Sequence, residues 1–181
     1  MFLMKKVTCL LLSAGLLWLA LPDARCLGSA VENNNYTRAS LVGLTGIYVA
    51  VQPISAEIEA QGLTAEDIKT DTQRLLRTGG IKVLAKEEWI KTKGGPVCFV
   101  AVDVVEDKLI TDASDQSLYA FQITVEFNQD VFLVRNPAIR VLSPTWSTSY
   151  LGLTNTLARI RENTRKMVQH FVDAFQSVNQ Q

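Results

Sequence analysis

From Leu118 to Val134, apolar and polar residues alternate over seventeen positions. Tyr119, Phe121, Ile123, Val125, Phe127, Val131 and Leu133 share one side, with Gln129 the polar exception. Gln122, Thr124, Glu126, Asn128 and Asp130 share the other. Successive side chains of a strand point to opposite faces, so a period of two this long specifies extended chain with one dry and one wet face. Strands usually hold about 3–10 residues. The run therefore predicts a bend, a bulge or a strand that outruns its partners. A sheet with one dry face needs a second layer to cover it.

Two amphipathic helices are predicted to supply that layer. The first spans 65–78. Thr64 with Asp67 three residues on makes a capping-box-like start, and Gly79-Gly80 is the stop. Ala65, Ile68, Thr72, Leu75 and Leu76 form its apolar stripe, with Asp67, Asp71 and Arg74 placed on the other side. The second helix is predicted over 154–178, with Leu157, Ile160, Thr164, Met167, Val168, Phe171, Val172, Phe175 and Val178 as its stripe.

Further strands are predicted at 46–51, 81–84, 97–105 and 139–150. The 97–105 run is apolar on both faces and central, and 139–150 is interrupted near Pro144 after a turn at Asn136-Pro137. Helical turns are expected at 55–61 and 85–90, the latter burying Trp89 and Ile90. Strand, helix and strand at the start imply a parallel pair with a right-handed crossover. The order β-α-β-β-β-β-α predicts an α+β, two-layer fold: a mixed sheet of about five strands with both main helices on one face.

The amino-terminal end reads as an export signal. Lys5 and Lys6 precede the apolar run VTCLLLSAGLLWLAL at 7–21, and Pro22 follows. Fifteen apolar or small residues fall short of the roughly 20 that span a bilayer. Cleavage is expected after Ala30 or after Cys26. The chain then divides into a signal peptide at 1–30, a flexible polar leader at 31–40 (VENNNYTRAS) and a single α/β domain at 41–181. Asp23, Ala24 and Arg25 precede Cys26 where a lipoprotein signal has small uncharged residues, which argues against a lipid anchor there. Without residues 1–30, 15 basic residues face 17 acidic ones. That near-neutral balance argues against nucleic acid as a partner. With cleavage after Ala30, Cys98 is the one cysteine left, so no internal disulfide is expected and the core must stabilise the fold unaided.

The residues able to carry chemistry are scattered. His170 is the single histidine and sits opposite the apolar stripe of its helix, with no carboxylate partner for acid–base work. Cys98 lies in an apolar strand with nothing local to lower its pKa, which predicts a buried, inert thiol. Glu106, Asp107, Asp112 and Asp115 form an acidic connection whose spacing does not match a calcium loop. Asp103, inside an apolar strand, needs a partner or an exit to water. Lys82, Lys86, Lys91 and Lys93 surround Trp89, but Glu87 and Glu88 offset their charge. No nucleophile elbow accompanies Ser143, Ser147 or Ser149, and there is no phosphate-binding glycine loop. These readings predict no catalytic residue, no metal and no cofactor. Trp146 and Tyr150, on one face of PTWSTSY if it is a strand, are the candidate partner-binding pair.

The element order, with the local texts GIKVLAKEEW (80–89) and TWSTSY (145–150), resembles exported bacterial proteins of unknown function. It is also similar to the small α/β domain at the amino terminus of TolB, and to related envelope lipoproteins of the curli-secretion and penicillin-binding-protein-activator groups. The chain departs from these in having no β-propeller after the domain and no good lipobox. The resemblance implies a non-catalytic envelope accessory module, and no binding residue carries over. The functional expectation is an exported, non-enzymatic, periplasmic or secreted interaction domain whose partner is an envelope protein. The alternatives are a periplasmic small-ligand carrier or sensor, and an enzyme with a dispersed site built from Asp103, Asp112 or Cys98.

Overall fold

A computed structural model describes residues 32–107 and 117–179. The signal region, Cys26, Asp112 and Asp115 lie outside them. The elements run α1 (Asn35–Arg38), a single 3₁₀ turn (Ala39–Leu41), β1 (Tyr48–Val51), α2 (Ala56–Ala60), α3 (Ala65–Thr78), α4 (Lys86–Trp89), β2 (Val97–Asp107), β3 (Leu118–Leu133), β4 (Asn136–Thr154) and α5 (Leu157–Asn179). The strands form one mixed sheet in the order β1-β2-β3-β4. β1 pairs parallel with β2, and the other neighbours are antiparallel. α3 and α5 pack on one face, giving two layers.

β3 supplies the centre of the core. Tyr119, Phe121, Ile123, Val125 and Phe127 are all buried on the helix side. Phe171 of α5 meets Phe127 at 6.0 Å between ring centroids and Trp146 of β4 edge-on at 5.1 Å. Trp146 is brought inward by a bulge. Phe127 pairs with Trp146 but Asn128 pairs with Pro144, leaving Thr145 as an extra residue. An inserted residue reverses which face the following side chains take. The irregularity expected near Pro144 is thus what sends the indole into the core.

α3 runs between the expected ends. Thr64 Oγ1 accepts from the Asp67 backbone N–H at 3.1 Å and donates to Asp67 Oδ2 at 2.8 Å. At the other end Ile81 N–H reaches Leu76 O at 2.9 Å and Gly80 N–H reaches Arg77 O at 3.1 Å, with Gly80 at φ +84°. This double closure requires a left-handed residue, which glycine adopts without strain. Gly79 is required for a different reason: a Cβ there would overlap Val172 Cγ1, so α3 and α5 touch at that point.

Five expectations are corrected. Residues 81–84 form no ladder strand, only a parallel bridge between Ile47 and Val83, so the sheet has four strands rather than about five. Asp71 does not face solvent: it is 8% exposed and braces α3 to α5. Its Oδ2 accepts from Arg161 Nε at 2.7 Å and Arg165 Nε at 2.8 Å. Ile90 is 68% exposed rather than buried. The turn after β3 is Val134-Arg135, not Asn136-Pro137. Residues 32–40, expected as a flexible leader, are folded. The Asn34 side-chain oxygen caps α1 by accepting from Tyr36 and Thr37 N–H, and Asn33 Oδ1 accepts from Trp146 Nε1 at 3.1 Å.

Candidate interaction surface

β2 pairs with β3 only as far as Asn128. Beyond that, Gln129–Leu133 and Asn136–Ser143 continue as a two-stranded ribbon closed by a two-residue turn. β3 is therefore a strand that outruns its partner. Among the described residues no third strand pairs with it, and several of its apolar side chains are left largely exposed. Val134 is 98% exposed, Phe132 62%, Leu142 57%, Ile139 42% and Val141 40%. Phe132 and Leu142 share one face of the ribbon with Asp130 and Arg140, and Val141 lies on the other. Single exposed apolar residues are ordinary, but this many on one hairpin point to a contact surface.

The ribbon's root is held firmly. Asp130 N–H donates to Gly94 O at 2.7 Å, fastening the 91–96 loop to β3. Gln129, the polar exception in the alternation, lies where the core ends and donates to Thr145 Oγ1 at 3.0 Å. Asp130 is paired with Arg140 at 3.6 Å across the ribbon. Between ribbon and loop lies an open cleft of about 500 Å³, with Trp89, Lys91, Lys93, Asp130, Arg140 and Leu142 in its wall. Trp89 is stacked on Tyr48 at 5.1 Å, and its buried Nε1 finds no acceptor among the described residues.

The remaining candidates are dispersed. Cys98 is fully buried and its thiol is pushed up to about 12 by desolvation, so it holds no thiolate at neutral pH. Asp103 is exposed on the helix-free face and accepts from Gln52 Nε2 at 2.8 Å, the exit to water its strand position required. Glu106 accepts from Ser117 Oγ at 2.7 Å. His170 is exposed on α5. Lys82 is paired with Glu88 at 2.9 Å. Among the described residues no three His, Cys, Asp or Glu side chains come together to hold a metal ion, and no helix is long and apolar enough to cross a membrane.

Trp146 is corrected as a partner-binding residue. It is 0% exposed, with its N–H spent on Asn33 and its ring on Phe171. Tyr150 shares its face but is 45% exposed, against Phe121 at 5.8 Å. The ribbon residues were missed because Val131 and Leu133 continue the core-facing alternation. The readable signal was Val131-Phe132-Leu133-Val134, where both faces turn apolar at once.

No protein-family model matches the chain, and no curated protein matches it. Among solved structures it is similar to a minor lipoprotein from Acinetobacter baumannii, at 10% identity over 75% of this chain and 93% of that one, with a TM-score of 0.30. It is likewise similar to rare lipoprotein B from Shewanella oneidensis, at 12% identity over 72% and 91% of the two chains, with a TM-score of 0.27. At these TM-scores neither likeness bears on what this chain does.

Proposed function

We propose that this protein is an exported, non-enzymatic accessory module of the cell envelope that works by contact with another envelope protein through the β3–β4 ribbon. One observation carries the reading: Phe132, Val134 and Leu142 stand exposed on a ribbon rooted in a well-packed sheet. A ribbon that presents uncovered apolar side chains is suited to fill a partner's pocket. The export-type amino terminus supports the compartment, and the dispersed carboxylates, thiol and imidazole support a role without chemistry. The test replaces Phe132, Val134 and Leu142 together with serine and compares co-purification from solubilised envelopes. A specific companion should be held by the native protein and released by the variant, while the variant's melting temperature stays within a few degrees. Equal recovery with both proteins would reject the ribbon as the contact.

A second reading, a carrier of a small acidic ligand, is favoured by the open cleft whose wall carries Lys91, Lys93 and Arg140. Native mass spectrometry of protein released from the envelope would show a bound anion of defined mass. Bare protein throughout would exclude it.

A further inference from the structure

The sheet has two edges, and they are built differently. β1 is four residues long, and its outer side is joined to the 81–84 segment by the Ile47–Val83 bridge and by Leu84 N–H to Ile47 O at 2.9 Å. The far edge is β4, nineteen residues long. Its upstream part carries recognised protections: Pro144, the bulge at Thr145, and a parallel bridge from Glu32 to Ser147. Downstream of Ser147 these devices stop. Among the described residues nothing pairs with the outer side of Thr148–Thr154.

Edge strands expose unpaired backbone N–H and C=O groups, and proteins that stay single blunt them with charges, proline, bulges or brevity. This stretch has none of those. No charged residue occurs anywhere between Arg140 and Arg159. Leu151 is 76% exposed, Leu153 70% and Tyr150 45%.

We infer that Thr148–Thr154 of β4 pairs antiparallel with the same segment of a second copy of this chain, about a two-fold axis at Leu151. The occupant is a second copy because the segment is complementary to itself. On the helix-free face Leu151 meets the partner copy's Leu151, and Leu153 lies beside its Ser149. On the helix side Tyr150 comes opposite its Gly152, which has no side chain to obstruct the ring. No like charges are brought together, and the repeated contact is the isologous kind that closes at two chains. The sheet becomes eight-stranded and continuous, and the two apolar ribbons point in opposite directions, leaving both free. The surface is separate from the ribbon and does not depend on its role.

A seven-residue edge pairing is small beside the roughly 1,200–2,000 Å² of a standard interface. The dimer should therefore dissociate on dilution. Light scattering and sedimentation of the exported protein across a range of concentrations should show monomer passing to dimer. Leu151→Lys places two ammonium groups opposite each other at a site that is already solvated, so the fold is kept. It should raise the dimer dissociation constant by about tenfold or more. Phe132→Ser on the ribbon should leave that constant unchanged.

Cysteine pairs fix the register. Leu151→Cys puts the two thiols on the axis with Cα atoms about 4.5–5.5 Å apart, within disulfide reach. Leu153→Cys places them about 13 Å apart along the strands, out of reach. Mild oxidation should cross-link the first variant and not the second, with the unsubstituted chain as the control for its own cysteines. A protein that stays monomeric at every concentration would overturn the inference. So would a dimer indifferent to Leu151→Lys, or equal cross-linking of the two cysteine variants.

Discussion

Replacing Asp71 with asparagine removes the charge that ties α3 to α5 while keeping the side chain's shape. Arg161 and Arg165 both donate to the same oxygen, Arg161 also reaches Asp67 Oδ1 at 3.3 Å, and Arg74 lies 3.7 Å from the other Asp71 oxygen. A hydrogen bond to a charged group contributes about 1.5–3 kcal/mol and a neutral one about 0.5–1.5. Arg161 and Arg165 stay charged in the variant, so each bond loses only its anionic partner; two bonds weakened by about 1–1.5 kcal/mol each cost roughly 2–3 kcal/mol. The arginines are 30% and 41% exposed, and solvent screening lowers that to about 2 kcal/mol. For a domain of this size the melting temperature should fall by about 4–8 °C.

The dependence on pH is also set. Burial raises the Asp71 pKa, but the hydrogen bonds and charges of Arg161 and Arg165 outweigh it and hold the carboxyl below its ordinary value of 3.8. A group whose folded pKa is depressed stabilises fully above its unfolded value and loses that contribution as pH falls through the folded value. The gap between native protein and Asp71→Asn should therefore be constant from neutrality to about pH 5 and close only below 3.8. Urea unfolding followed by circular dichroism gives both quantities. A gap below about 0.5 kcal/mol, within the spread of ordinary surface changes, would refute the brace. So would a gap that shrinks between neutrality and pH 5.

Trp146→Ala should cost about 3–5 kcal/mol in urea unfolding, because the ring is fully buried, whereas Tyr150→Ala on the same face should cost less than about 2. Gly79→Ala should destabilise by about 1–3 kcal/mol through overlap with Val172, and Val172→Ala should recover part of that loss when the two are combined. Cys98 should resist alkylation in the folded protein and react at the rate of an ordinary thiol once unfolded, as peptide mass spectrometry would show; rapid labelling of native protein would contradict its burial.

What was legible in the sequence was what short-range chemistry decides. Thr64 and the Gly79-Gly80 pair mark the ends of α3 because caps act within one helical turn. The alternation from Tyr119 to Phe127 identified the core face of β3, because period two belongs to a strand whatever it pairs with. What depends on distant partners was not legible. Asp71 looked solvated until two arginines about ninety residues away folded against it. Asn33 looked like part of a loose leader until Trp146 donated to it across 113 residues. The 81–84 run has strand composition but finds only Ile47 to bridge. The doubled apolar run at 131–134 was there to be read, but its exposure follows from β2 beginning only at Val97, opposite Asn128, which nothing within residues 129–143 records.

The proposed contact between the β3–β4 ribbon and an envelope protein can be tested where it would form. The most direct measurement places a photo-reactive amino acid at Val134 and, as a control away from both proposed contacts, at the exposed His170 of α5, and irradiates intact cells. One discrete adduct of fixed mass is expected from position 134 and none from position 170. No adduct at 134, or the same diffuse products from both positions, would contradict the proposed contact.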